Sequence, residues 1–161
     1  MKRIALLIAL LTSCAVLGCQ KEQSDQKEPE TLVRGGYDED AMEAAIARAR
    51  SEVDDFIADF QQGQSQDYSV KAPIEDEGEV EHFWLTDITY DGESFTGNIG
   101  NDPGIVSNVE FGQKYTIAKG EISDWMYFRD GKMYGNYTMR PLLDSMPEEE
   151  AARFRQMFAA P

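Results

Sequence analysis

Residues 80–99 read Val80-Glu81-His82-Phe83-Trp84-Leu85-Thr86-Asp87-Ile88-Thr89-Tyr90-Asp91-Gly92-Glu93-Ser94-Phe95-Thr96-Gly97-Asn98-Ile99. β-Branched and aromatic side chains run up to an Asp-Gly pair and resume behind it, with Phe95, Gly97 and Ile99 in alternation. That is the pattern of two antiparallel strands joined by a tight turn. Asp and Gly accept the positive φ angles of a type I′ connection, so strands are expected near 80–91 and 94–100 around Asp91-Gly92. Strict alternation puts His82, Trp84, Thr86, Ile88 and Tyr90 on one face and Phe83 and Leu85 on the other. Both faces are apolar at the start, which suits a central strand or one curled into a barrel.

Working outward, the same signal recurs. Asp130-Gly131 is a second hairpin turn, and strands are expected near 67–72, 113–118, 123–129 and 132–140. Upstream, Met42, Ala45, Ile46, Ala49, Val53, Phe56, Ile57 and Phe60 recur at three- and four-residue spacing, which predicts one amphipathic helix over 39–62. Asp38 is its N-cap, Tyr37 and Met42 are placed for a hydrophobic staple, and Gly63 is its stop. The polar face of this helix is mainly acidic, which favours packing on the protein's own sheet over lying on a lipid surface. A short last helix is signalled by Ser145-Met146-Pro147-Glu148, a capping-box spacing, followed by Ala151, Phe154 and Phe158. The expected fold is α+β: an N-terminal amphipathic helix on a curved antiparallel sheet of about five to six strands, with a short C-terminal helix.

The whole chain has 161 residues, 42% of them apolar and 28% charged, with a net charge of −15. That is enough for one packed domain. There is no glycine period and no long heptad run, so collagen and coiled-coil readings fail. Charge of this sign repels phosphate backbones, so nucleic acid is not an expected partner. Scattered acidic residues read as a solvated surface, ahead of a basic partner or divalent cations.

One apolar stretch stands apart. Met1-Lys2-Arg3, the run Ile4 to Leu11 and the small residues up to Gly18 form the charged, apolar and processing regions of a secretory signal, too short to span a bilayer. Val16-Leu17-Gly18-Cys19 resembles the lipobox of bacterial lipoprotein precursors, although Leu17 is bulkier than the usual Ala or Ser there. The resemblance implies that Cys19 is the lipid attachment residue, its thiolate being the nucleophile, and that several acyl chains hold the protein at a membrane. With Gln20 next, the sorting rule of Gram-negative lipoproteins implies the outer membrane, facing the periplasm, or the cell membrane in a Gram-positive organism. Loss of residues 1–18 removes Cys14, Lys2 and Arg3, taking the charge from −15 to −17 and leaving no thiol beyond the lipidated one for a disulfide or thiol enzyme. Residues 19–36, polar and closing on Gly35-Gly36, read as the lipidated cysteine and a disordered tether with a reach of roughly 20 to 25 Å. A single domain then occupies residues 37–161.

Val70-Lys71-Ala72-Pro73, Glu81-His82-Phe83-Trp84-Leu85, the run Gly97 to Gly104, Phe111-Gly112-Gln113 and Ile122-Ser123-Asp124-Trp125-Met126-Tyr127 resemble, in that order, the signature blocks of the bacterial YegJ-like family, domain of unknown function 2314. The resemblance covers about residues 67–143. It implies a small α+β domain, often lipoprotein-anchored or cytoplasmic, and no established activity or catalytic residues.

The residues themselves offer few chemical constellations. His82 is the one histidine, so a Ser-His-Asp mechanism would run through it and a multi-histidine metal site is excluded. It reads as a hydrogen-bonded structural residue ahead of a catalytic one; Glu79 and Glu81 lie on the opposite strand face. Asn98, Asn101, Asp102, Pro103 and Gly104 read as a turn held by Asn and Asp side chains, without the dense acidic spacing of a calcium loop. Ser123-Asp124-Trp125 reads as core strand ahead of a nucleophile or ligand platform. Arg140 is expected to pair with Asp124 or Asp102 across the sheet. Phosphate loops, zincin motifs and nucleophile elbows are absent, and no pair of carboxylates is singled out. No catalytic residue, metal or cofactor is therefore assigned. The expected contact residues of a ligand or partner, an envelope protein or wall component, are His82, Trp84, Asp102, Asp124, Trp125 and Arg140. The leading expectation is a non-enzymatic, lipid-tethered binding module of the cell envelope; the alternative is an envelope hydrolase using His82 with Asp102 or Asp124.

Overall fold

The computed structural model describes residues 36–159. The expected signal sequence, Cys19 and nearly all of the expected tether lie outside the described residues. The fold is α+β: a six-stranded antiparallel open sheet in the order β4-β3-β2-β1-β5-β6, with helices against both faces. The strands are β1 (Gln66–Asp76), β2 (Glu79–Tyr90), β3 (Ser94–Ile99), β4 (Lys114–Ala118), β5 (Asp124–Arg129) and β6 (Lys132–Gly135). The strand carrying His82 and Trp84 is interior, between β1 and β3, and the sheet does not close into a barrel.

The N-terminal helical region is two helices, α1 (Glu39–Ser51) and α2 (Val53–Gln62), where periodicity alone predicts one. Asp38 caps α1 through its carboxylate, which accepts the Ala41 N–H at 3.0 Å, and Gly63 closes α2 at φ 63°. The break falls at Glu52 (φ −104°, ψ 7°). The Ala49 carbonyl, which an unbroken helix would offer to Val53, accepts the Trp125 indole N–H at 2.9 Å, and the Glu52 carboxylate reaches out to the Tyr137 hydroxyl. A side chain inserted at the hydrogen-bond ladder is a recognised cause of such a kink.

Packing divides the sheet. On the inner face Phe56 of α2 stacks on Trp125 at 5.2 Å and meets Phe95 and Tyr127, in a core with Val70, Ala72, Phe83, Leu85 and Ile99. Trp125 is 4% exposed. On the outer face a second, smaller core lies over β5 and β6, formed with the 3-10 segment Tyr137–Ser145 and α3 (Glu148–Met157).

Four local expectations need correction. The strand expected over 132–140 stops at Gly135, where a Cβ would lie 2.2 Å from the Trp125 carbonyl oxygen, and the chain turns through Asn136 at φ 48° into the 3-10 segment. The face assignment in β2 holds only to Thr86. Asp87 has φ 50° and the β2–β3 register shifts between Thr86 and Thr89, so this β-bulge turns Ile88 and Tyr90 towards the inner core. Asp91 lacks the positive φ of a type I′ turn; its carboxylate instead accepts the Glu93 and Ser94 N–H groups at 2.9 and 2.8 Å. Ser145 does not cap α3, because its hydroxyl donates to the Gly36 carbonyl at 2.7 Å; Pro147 takes the N-cap position.

β1 extends well past the expected 67–72 and contains Pro73. Its pairing with β5 runs out at Lys71, while β2 continues alongside to Asp76, so the ladder does not need the N–H that proline lacks.

Candidate functional site

Sheet register builds the site. Lys71 of β1 pairs with Trp84 of β2 on one side and Asp124 of β5 on the other, so the three residues form a row across the middle of the sheet. Their side chains point away from α1 and α2, since Val70, Ala72, Phe83, Leu85 and Trp125 occupy the inner face. Two residues along, and so on the same face, His82 pairs with Pro73.

Asp124 is fully buried. Its Oδ1 accepts the Trp125 and Tyr137 N–H groups at 2.9 and 3.1 Å, and Oδ2 accepts the Thr138 N–H at 2.8 Å and hydroxyl at 2.7 Å. Four donors satisfy a buried carboxylate, and two of the N–H groups open the 3-10 segment, so Asp124 holds that segment to the sheet. Lys71 completes the chain: its Nζ donates to Thr138 Oγ1 at 2.7 Å and lies 4.5 Å from the Trp84 ring centroid. Desolvation lowers the Lys71 pKa, opposed by the nearby Asp124 charge.

His82 Nδ1 lies 2.8 Å from Ser123 Oγ, and that hydroxyl also donates to the Lys71 carbonyl at 3.3 Å. An Nδ1–H tautomer of His82 donates to this hydroxyl, and an Nε2–H tautomer accepts from it. Although His82 as a residue is exposed, atoms crowding its ring and the cations Lys71 and Arg50 push its pKa down to about 4. The folded protein therefore holds this imidazole neutral. As pH falls, the unfolded chain takes up the proton first, near 6.5; the contribution of His82 to stability is complete above that value and is lost towards pH 4. An NMR titration reads this directly, because the one histidine gives a single imidazole Cε1–H signal. Its midpoint is expected near 4, and a midpoint near 6.5 would mean that the ring is solvated and uncoupled from Lys71 and Arg50.

The other expected contact residues are not brought together. Trp125 and Asp124 are buried and offer no surface to a partner. Arg140 pairs with neither aspartate as expected. Its guanidinium lies over the Phe158 and Tyr137 rings at 4.4 and 5.5 Å, because the 3-10 segment carries it away from the strand geometry assumed for it. Asp102 is exposed in the long β3–β4 loop. That loop is held from outside rather than by its own Asn and Asp side chains alone. Glu81, 3% exposed, accepts the N–H groups of Gly104, Ile105 and Val106 at 2.8 to 3.1 Å, and Asn101 Oδ1 accepts the Trp84 N–H at 3.0 Å. Lys71, Ser123 and Thr138 were not among the expected site residues. Lys71 was legible as a lone cation between Val70 and Ala72 in a strand; Thr138, reached through the Gly135–Tyr137 turn, was not.

A cavity of about 310 Å³ is lined by Phe60, Asp67, Tyr68, Ser69, Thr86, Asp87 and Ile88; Ser69 and Thr86 are two residues along their strands from Lys71 and Trp84, but none of the expected contact residues lines it. Among the described residues no three His, Cys, Asp or Glu side chains are grouped to hold a metal ion, and no helix is long and apolar enough to cross a membrane.

The comparisons with known proteins give a family and no activity. No solved structure matches the chain. It is 50% identical to the uncharacterized protein YegJ of Escherichia coli strain K12 over 157 residues, 96% of this chain and 97% of that protein. It is also 39% identical over 85 residues to a putative ankyrin repeat protein of Neisseria meningitidis serogroup B, covering 50% of this chain and 34% of that one. The family model for domain of unknown function 2314, described as an uncharacterized protein conserved in bacteria, matches residues 39–159, so that α1 and α2 fall inside the unit along with the sheet. The helices, all six strands and the Trp84–Lys71–Asp124 row are thus one family domain, and the chain belongs to the bacterial family of domain of unknown function 2314.

Proposed function

We propose that this protein is a non-enzymatic binding module, tethered by lipid on Cys19 at the bacterial cell envelope, that meets an envelope protein or wall component through His82 and the half-buried Trp84. The observation that carries the reading is the state of the polar groups beside these two residues. Asp124 is saturated by four donors, Lys71 is committed to Thr138 and Trp84, and Ser123 is 1% exposed. Groups so fully engaged position a surface; they are not free to exchange protons with a substrate. The exposed remainder is His82 and the edge of Trp84, a pair suited to contact at an interface where an aromatic ring supplies area and a neutral imidazole supplies a hydrogen bond.

The hydrolase alternative has one contact in its favour, the 2.8 Å approach of His82 to Ser123. The Ser123 hydroxyl also has the Lys71 carbonyl as an acceptor at 3.3 Å, and a histidine with a pKa of about 4 is a weak base at neutral pH. Asp124 has no oxygen lacking a donor, and Asp102 is on the exposed loop.

A photocrosslinking residue at Thr86, beside Trp84 on the same face, tests the surface in intact cells. A discrete adduct weakened by His82→Ala is the expected result; no adduct at Thr86, together with ester hydrolysis that Ser123→Ala abolishes, would replace the module by the enzyme. The anchor is tested separately. Cys19→Ser is expected to abolish labelling by an alkyne fatty acid and to leave precursor unprocessed, and equal label in the variant would refute the lipobox reading.

A further inference from the structure

Seven methionines occur in the chain, and five of them, Met126, Met133, Met139, Met146 and Met157, meet in the small outer core. They come from β5, β6, the 3-10 segment, its C-cap and α3, and they share that core with Phe128, Leu143, Ala151, Phe154 and Phe158. Met133 is buried, while the other four are half-buried and open to small solutes. Besides this core, α3 and the residues after it are tied to β6 by the Ala159 N–H to the Met133 carbonyl at 2.8 Å and Lys132 Nζ to the Gln156 carbonyl at 2.7 Å, and to the 3-10 segment by the exposed Arg155–Asp144 pair at 3.7 Å and by Arg140 over the Phe158 ring at 4.4 Å. The inner core has no comparable sulfur content: it is built from aromatic and branched aliphatic side chains.

We propose that this methionine cluster is an oxidation site, and that peroxide-class oxidants release α3 from the sheet by converting Met139, Met146 and Met157 to sulfoxides. In each step hydrogen peroxide transfers one oxygen to a thioether; the sulfur loses two electrons, an S–O bond forms, the O–O bond breaks and water leaves. The product is polar and no longer fits an apolar contact. A core of this size joined by so few hydrogen bonds has little to set against several such changes, whereas the inner core beneath α1 and α2 contains no methionine. Release exposes Met126 and Phe128 on β5, so the oxidised form presents an apolar strip that the reduced form covers.

The test treats the full chain with hydrogen peroxide, maps sulfoxides by peptide mass spectrometry and follows backbone amides by hydrogen exchange. Sulfoxides at Met139, Met146 and Met157 are expected to accompany a fall of about tenfold or more in protection across Glu148–Met157, with Val70 to Leu85 unchanged. The triple variant Met139→Leu, Met146→Leu, Met157→Leu, close in volume and inert to peroxide, is expected to keep α3 protected under the same treatment. Oxidised wild-type molecules that retain protection in α3 would overturn the proposal. So would loss of protection in the leucine variant, or resistance of the three residues to peroxide that converts Met42 on α1. Should the variant fold poorly, oxidised and unoxidised wild-type molecules in one sample still decide the matter.

Discussion

Phe56→Asp is expected to abolish the cooperative fold of this domain. Phe56 is fully buried, and its ring lies 5.2 to 6.4 Å from those of Trp125, Phe95, Tyr68, Tyr127 and Phe60, so it joins α2 to three strands at once. Truncating such a ring costs about 3 to 5 kcal/mol in lost contacts and residual cavity. The carboxylate adds several more, because it would be desolvated among rings that cannot neutralise it. Against a typical total stability of about 5 to 15 kcal/mol, the sum leaves little or no folded population. Thermal melting followed by near-ultraviolet circular dichroism is expected to show no transition, while Phe56→Leu keeps a lower but cooperative one. A melting temperature unchanged in Phe56→Asp would mean that α2 does not pack on the sheet.

Asp124→Ala is expected to be nearly as damaging for a different reason. It removes the acceptor of three backbone N–H groups and the Thr138 hydroxyl, all in a buried setting, and leaves the desolvated Lys71 amine without its opposite charge. Deleting one partner of a buried ionic network costs about 3 to 5 kcal/mol, chiefly through the groups left behind. Urea titration is expected to show that loss. Adding Lys71→Met should restore part of it, since the stranded charge is then gone, and the double-mutant cycle measures the coupling. Strictly additive effects would show that Lys71 and Asp124 do not act as a unit.

Much of the architecture was legible because it is specified locally. The Asp130-Gly131 hairpin has positive φ at both residues, 51° and 72°, as its composition demands, and the Asp38 and Gly63 helix ends rest on side-chain and backbone chemistry that needs no partner. The departures have distant causes. Nothing near Glu52 announces that an indole from β5 will take the Ala49 carbonyl, and nothing near Ser145 announces Gly36. The Asp87 bulge is an intermediate case. Apolar residues at 83, 85, 88 and 90 slip phase after Leu85, and that slip is the sequence trace of the extra residue. The site was the least legible part, because Glu81 and Asp124 are buried carboxylates whose partners are backbone amides from other segments. Asp124 was singled out on its core strand, but as a contact residue and a partner of Arg140, because its actual partners, Tyr137 and Thr138, lie beyond a turn that the pattern read as strand.

The route from β4 to β5 constrains how this domain tolerates changes of length. The two strands are four places apart in the sheet, about 19 Å if it were flat, yet only residues 119–123 join them. Even fully drawn out, that segment reaches roughly 20 Å, and it is not drawn out: the Glu121 N–H folds back to the Ala118 carbonyl at 2.9 Å. The strands must therefore curl towards each other, with Arg50 of α1 bonded to the Ile122 carbonyl and Lys119 to Asp54 of α2 where the chain crosses. The connector acts as a drawstring on the sheet. Shortening it by one residue would strain every ladder it spans, whereas lengthening it would slacken the trough in which α1 and α2 lie, so homologous chains of this fold should vary in length at the β3–β4 loop and at the termini before they vary here.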